Sequence, residues 1–141
     1  MRLSKRTEYA LRAAIRLAEL PPGQFVQSRD LAKYEELPGK FLESILLGLR
    51  RGGFLESKVG SGGGYRLSRS PEQIRVGEIV QTLEHEAEAP STIPATLGGR
   101  ASRIVDEQLR QAAESVFSQL TLQELLEQAS RADRQPQMYY I

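Results

Sequence analysis

A chain of 141 residues, 40% apolar and 26% charged, suits one compact domain or a small head with a short assembly arm, and is too apolar to be wholly disordered. It has no cysteine, which excludes disulfides, thiolate catalysis and zinc or iron–sulfur sites held by cysteine. The net charge of +1 hides a division: residues 1–75 carry 14 Lys+Arg against 8 Asp+Glu and suit a polyanion, whereas residues 76–141 carry 5 against 10 and suit a protein or solvent surface.

The first predicted element is a helix N-capped by Ser4 and running to about Glu19, where Pro21-Pro22-Gly23 stops it. Leu11, Ile15 and Ala18, with Ala10, Ala14 and Leu17, recur at helical spacing on one face. Lys5, Glu8, Arg12 and Arg16 take the other, with Glu8 and Arg12 spaced for an i,i+4 pair. A second, shorter helix is expected with Ser28 as N-cap, Leu31 and Ala32 facing inward and an end near Leu37. Pro38, with its fixed backbone angle and missing N–H, suits the first turn of a third helix that reaches about Arg51 and stops at Gly52-Gly53. Leu42, Ile45, Leu46 and Leu49 fall at i, i+3, i+4, i+7 and should pack on the earlier helices. Lys40, Ser44, Leu47 and Arg51 are left outside, flanked by Glu43. Two helices joined by a tight turn, the second with a polar outer face, form a helix-turn-helix.

After Gly53 the period changes from helical to alternating. Phe54 to Lys58 and Tyr65 to Ser68 read as two short strands around a glycine-rich turn, a hairpin placed as a wing beside the helix-turn-helix. Pro71 separates it from a helix at about Val76 to His85, with Val76, Ile79, Val80 and Leu83 on its apolar stripe. Glu86 to Gly99, with two prolines and two glycines, reads as an irregular loop. A longer helix from about Ala101 to Leu120 carries Ile104, Val105, Leu109, Ala112, Ala113, Val116 and Phe117, an apolar stripe longer than so small a domain can cover. The expectation is a homodimer in which Ile104, Val105, Leu109, Ala112, Val116 and Phe117 meet their copies. A last helix with Thr121 as N-cap is expected to about Ala129, and the tail Met138 to Ile141 is available to the same surface.

Gly60-Ser61-Gly62-Gly63-Gly64-Tyr65 invites a nucleotide-binding reading, which its context refuses. A phosphate loop runs from a buried strand into a helix, whereas this one leads into strand-like Tyr65-Arg66-Leu67 and lacks Gly-Lys-Ser/Thr. As a wing tip, its glycines would let backbone N–H groups approach a phosphate closely.

These segments together resemble the IscR/CymR/NsrR, or Rrf-type, family of winged helix-turn-helix transcriptional regulators of bacteria. The resemblance is carried by Met1 to Arg12, by Leu37-Pro38-Gly39-Lys40-Phe41-Leu42-Glu43-Ser44-Ile45-Leu46, by Gly60 to Tyr65 and by Ile74 to Leu83, and it is strong over residues 1–85. It implies a mainly α fold with a small β-hairpin wing (α+β) and a long C-terminal dimerisation helix. Residues 1–75 would be the DNA-binding region, and residues 76–141 a linker helix, a sensor-position loop and dimerisation helices. It also implies that Ser4, Lys5 and Tyr9 lie near the DNA backbone, with Ser28 and Arg29 at the start of the positioning helix. Pro38, Gly39, Lys40, Glu43 and Ser44 would enter the major groove of double-stranded DNA, with Arg51 on the same face. Lys40 suits phosphate or a guanine edge, Glu43 suits a cytosine amino group or a solvated charge, and Ser44 suits either kind of base partner. At the wing, Lys58, Gly60, Ser61, Gly62, Gly63 and Tyr65 would face the duplex.

Two departures stand out. Wings of this kind usually carry Arg or Lys before the first glycine and Pro after it; here Val59 and Ser61 hold those places, leaving Lys58 and Arg66 as the basic side chains near the tip. Sensing members hold an iron–sulfur cluster with three cysteines in the segment that corresponds to Glu86–Arg100. This chain has none, and His85, its only histidine, near Glu84, Glu86 and Glu88, reads as a solvated helix end rather than a metal site. No cofactor is therefore expected, and the input is a small molecule, a protein effector or abundance alone. The leading expectation is a cytoplasmic repressor or activator that reads a near-palindromic operator, with no membrane partner. The alternative is an interaction protein whose main partner is a metabolic enzyme. No catalytic set is recognisable.

Overall fold

The computed structural model describes residues 2–87 and 92–132. Its elements are α1 (Lys5–Glu19), α2 (Ser28–Glu35), α3 (Gly39–Arg51), β1 (Leu55–Lys58), β2 (Gly64–Leu67), a 3-10 turn at Pro71–Gln73, α4 (Val76–Ala87), α5 (Leu97–Phe117) and α6 (Leu122–Ala132). The mainly helical fold with one antiparallel hairpin agrees with the sequence reading.

Helix α1 is the axis of the fold, in contact with α2, α3, α4 and α6. Its buried positions explain this: Ala10, Ala13 and Ala14 have no bulk, so neighbouring backbones approach on several sides. The volume is filled by Leu42, Ile45, Leu46 and Leu49 of α3, Leu31 of α2, and Phe54 and Leu55 at the entry to the hairpin. Ile74, Ile79, Leu83 and Leu122 join the same core, so the acidic half of the chain packs directly on the basic half. Val80, read as part of that stripe, is only half-buried.

The start of α1 is built from reciprocal bonds. The Ser4 hydroxyl oxygen accepts from the Thr7 N–H at 3.2 Å and its proton goes to Thr7 Oγ1 at 3.0 Å. From α4, Glu84 Oε1 accepts the Ser4 N–H at 3.0 Å. Burial raises the Glu84 carboxyl pKa, but the bond from the Ser4 N–H, with the Thr7 and Ser4 hydroxyls close by, outweighs it, and the net shift is downward. The i,i+4 pair expected between Glu8 and Arg12 does not form. Glu8 binds Lys5 instead, and Arg12 reaches across to the carbonyl and carboxylate of Glu35, tying α1 to the end of α2.

Several boundaries differ from the sequence reading for identifiable reasons. Ser28 lies inside α2, with Gln27 as the cap, because its hydroxyl is turned to Glu43 Oε1 of α3 at 3.4 Å. The helix ends at Glu35, where Glu36 turns into the left-handed region (φ 56°) and the Leu37 N–H returns to the Ala32 carbonyl. Pro38 then caps α3 from outside. Helix α4 continues to Ala87, and α5 begins at Leu97, so the expected loop is helical at its two ends. Thr96 starts α5 by accepting the Gly99 N–H at 3.0 Å, and Gly99 is buried where a Cβ would lie 2.0 Å from the Pro94 carbonyl oxygen. Helix α5 stops at Phe117, before Leu120, because the next residues turn into extended pairing with the start of α4. The Val76 N–H donates to Leu120 O and the Leu122 N–H to Ile74 O, at 2.9 and 2.8 Å. Thr121 caps α6 in a capping box with Glu124, and α6 runs to Ala132. Glu88 and the tail Met138 to Ile141 lie outside the described residues.

Candidate nucleic-acid interface

The amphipathic pattern of α3 fixes what it presents. With Leu42, Ile45, Leu46 and Leu49 fully buried, the side chains of Lys40, Glu43, Ser44, Leu47 and Arg51 stand exposed on the other face. The N-terminal end, Pro38-Gly39-Lys40, is open to solvent and carries no side-chain cap, so its first backbone N–H groups are free of side-chain partners. An open helix N-terminus beside a lysine attracts anions.

The flanks are less uniform. Lys5 and Arg29 are exposed, whereas Ser4 is half-buried with its hydroxyl spent on capping α1. Tyr9 is half-buried under α3, its ring edge-on to Phe41 with centroids 5.6 Å apart and the Arg12 guanidinium 5.6 Å away. Ser28 and Glu43 bind each other, joining the starts of the two helices of the motif.

The wing is moored to the helices by more than its own ladder. Leu55 pairs with Leu67 through to Lys58 with Gly64, and Tyr65 also exchanges two 2.8 Å backbone bonds with Val26, in the segment between α1 and α2. Gly64 (φ 131°) makes this approach possible, since a Cβ there would lie 2.2 Å from the Val26 carbonyl oxygen. The tip, Val59 to Gly62, is exposed, whereas Gly63 is buried in the turn and Tyr65 half-buried. Arg66, a basic residue near the tip by sequence, is held elsewhere. It pairs with its cross-strand partner Glu56 at 2.9 Å, donates to the Gly23 carbonyl and stacks 4.3 Å from the Phe25 ring. Lys58 stays exposed.

Sequence reasoning placed Gly64 in the glycine-rich turn without its contact with Val26, and gave no role of their own to Arg6 and Phe41. Phe41 was detectable as an apolar residue off the Leu42-Ile45-Leu46-Leu49 stripe, and it is 40% exposed beside the candidate reading residues. Gly64 and Arg6 left no signal in spacing, because their partners are Val26 and Ser44, far away along the chain.

Away from this face, α5 is exposed on nearly every side. Among its apolar residues, Val105 is 65% exposed, Val116 70%, Ile104 59% and Leu109 41%. Ala112 is also exposed, while Phe117 is half-buried near Gly77 of α4. Val105, Leu109, Ala112 and Val116 follow a 4-3-4 spacing, the seam pattern of paired helices. Beside the seam, the Arg110 guanidinium holds the Glu107 carboxyl below its ordinary pKa.

Among the described residues, no three His, Asp or Glu side chains come together to hold a metal ion, and no helix is long and apolar enough to cross a membrane. The sequence has no thiolate to offer an iron–sulfur cluster.

Residues 3–128 match the Rrf2 family model, described as "Iron-dependent Transcriptional regulator". The chain is 35% identical to the HTH-type transcriptional regulator IscR of Cereibacter sphaeroides over 101 residues, 70% of this chain and 65% of that protein. It is 34% identical to the HTH-type transcriptional regulator NsrR of Bacillus subtilis over 86 residues, 61% of this chain and 59% of that protein. The matches thus span less than two thirds of these curated relatives. Among solved structures, IscR of T. potens superposes with a TM-score of 0.72 at 27% identity, covering 94% of this chain and 90% of that one. CymR, the global cysteine regulator of B. subtilis, superposes with a TM-score of 0.69 at 26% identity, covering 90% and 97%.

Proposed function

Because this chain belongs to the Rrf2 family of DNA-binding transcriptional regulators, we propose that it acts as a homodimer reading a near-palindromic operator, and does so without an iron–sulfur cluster. The observation that carries the reading is the outward face of α3, where Lys40, Glu43, Ser44 and Arg51 stand exposed opposite a fully buried face and beside the wing. An α-helix of this kind fits the major groove, where Lys40 serves phosphate or guanine, Glu43 a cytosine amino group and Ser44 a base edge. The wing tip then lies against the neighbouring backbone, its glycines giving N–H groups close access to phosphate. Regulators of this family bind DNA rather than catalyse reactions. The exposed 4-3-4 seam of α5 supports the homodimer, and two-fold symmetry in the protein favours a two-fold operator. The absence of cysteine supports a regulator whose affinity does not depend on a thiolate-held cluster. A small molecule, a protein effector or abundance would then set its occupancy, with the cytoplasm as its site of action.

A salt titration tests the major-groove assignment. Each phosphate contact contributes about −0.9 to the slope of log K against log salt, so Lys40→Ala is expected to weaken binding about tenfold and to flatten the slope by roughly 1 per half-site. An unchanged slope would remove Lys40 from the phosphate contacts.

A further inference from the structure

A three-residue bridge ties the candidate reading helix to α1 and α4. Arg6, on the first turn of α1, donates from Nη1 to Ser44 Oγ at 3.1 Å and from Nη2 to the Ser44 carbonyl at 3.3 Å. The same Nη2 meets Glu86 Oε2 of α4 at 3.0 Å. The Arg6 and Glu86 side chains are 20% and 29% exposed, so the bridge is partly shielded from water and from screening salt.

The bridge passes closely over a glycine. Gly48 lies one turn beyond Ser44, and a Cβ there would stand 2.9 Å from Glu86 Oε2 and 3.1 Å from Arg6 Nη2. Mid-helix glycine is unfavourable compared with alanine, so a reason for it is called for. The close passage of the guanidinium and carboxylate supplies one.

We propose that Arg6 is a positioning residue that makes Ser44 a hydrogen-bond donor toward DNA, with Gly48 and Glu86 holding Arg6 in place. The proposal rests on the reading of α3 as the major-groove helix. A serine hydroxyl has one proton and two lone pairs, and by itself serves a donor or an acceptor on a base edge. The Arg6 N–H occupies one lone pair, and the two bonds from Arg6 fix both the side chain and the carbonyl of Ser44. The hydroxyl proton cannot be directed at the guanidinium and is left for another partner. In the major groove guanine, adenine and thymine each present an acceptor, whereas cytosine presents its N4 amino donor. Arg6 thus sets Ser44 to disfavour cytosine at the base it faces.

The test uses the full-length protein on its selected operator, with every half-site position cycled through the four base pairs. Ser44→Ala identifies the position that Ser44 reads, where the wild type is expected to disfavour cytosine by about tenfold. Arg6→Ala and Gly48→Ala are expected to lose that discrimination at the same position, leaving the other positions and the salt slope unchanged. Alanine is the better helix former, so a loss in Gly48→Ala does not come from a weakened helix. If Arg6→Ala instead lowers affinity uniformly and flattens the salt slope by about 1 per half-site, Arg6 touches phosphate directly and the proposal is overturned. Unchanged base preferences in Arg6→Ala and Gly48→Ala would also overturn it while leaving α3 as the reading helix. A wild type with no base preference at any position would remove the underlying reading as well.

Discussion

Replacing Val105 and Leu109 by aspartate is expected to yield a folded monomer with little operator affinity. Both side chains lie in the α5 seam, 65% and 41% exposed, so the isolated subunit loses little packing by their exchange. In a two-fold interface each substitution acts twice. Fully burying a large aliphatic side chain contributes about 1.5–3 kcal/mol, but these are already partly buried in the subunit, so the four lost side chains remove about 3–6 kcal/mol from association, before the cost of placing carboxylates there. Monomers must then bind half-sites independently, and the affinity gained from linking two readers, roughly 10²–10⁴-fold, disappears. Sedimentation equilibrium, circular dichroism and operator titration together read the three consequences. A variant that remains dimeric would place the interface elsewhere; a monomer that binds the full operator as tightly as the parent would show that one reader suffices.

The second large effect is expected from Gly64→Ala. Its φ of 131° is strained for any side chain, and the new Cβ would sit 2.2 Å from the Val26 carbonyl oxygen, within the mooring of the wing. Relief requires β2 to move away from Val26 and break the two 2.8 Å bonds between Val26 and Tyr65. Backbone strain of about 1–3 kcal/mol and two backbone bonds at about 1 kcal/mol each imply a loss of about 3–5 kcal/mol by urea denaturation. A wing no longer held beside α3 should bind operator about 10–100-fold more weakly. Gly62→Ala is the control: its φ is 74°, but no atom lies within 4 Å of the added methyl, so only the strain of about 1 kcal/mol is expected. Equal stability losses in the two variants would show that the contact with Val26 does not hold the wing.

The sequence was most legible where one local pattern decided the outcome. The apolar spacing of Leu42, Ile45, Leu46 and Leu49 sufficed to orient α3, because burying four large side chains leaves one choice of face. The change to alternating residues after Gly53 likewise marked the hairpin. Only the two ends of the Glu86–Gly99 segment depart from the loop reading, because proline and glycine normally interrupt helices. Gly98-Gly99 instead opens α5, where Gly99 is demanded by contact with the Pro94 carbonyl and Thr96 supplies the cap. The end of α2 was misplaced because Glu36 adopts a left-handed conformation that composition does not announce. At the candidate interface, Lys40, Glu43 and Ser44 were legible from their place on the outer face. What fixes them was not: the bonds of Ser44 to Arg6, Glu43 to Ser28 and Tyr65 to Val26 join residues 15 to 39 positions apart, and no periodicity encodes such pairings.

The most direct test of the central claim is selection of genomic fragments by the purified full-length protein, prepared without iron and challenged with non-specific competitor at a stated salt concentration. A sequence-specific dimeric reader that needs no cluster predicts enrichment of one shared near-palindrome. Recovery of no preferred sequence by folded, dimeric protein would contradict it.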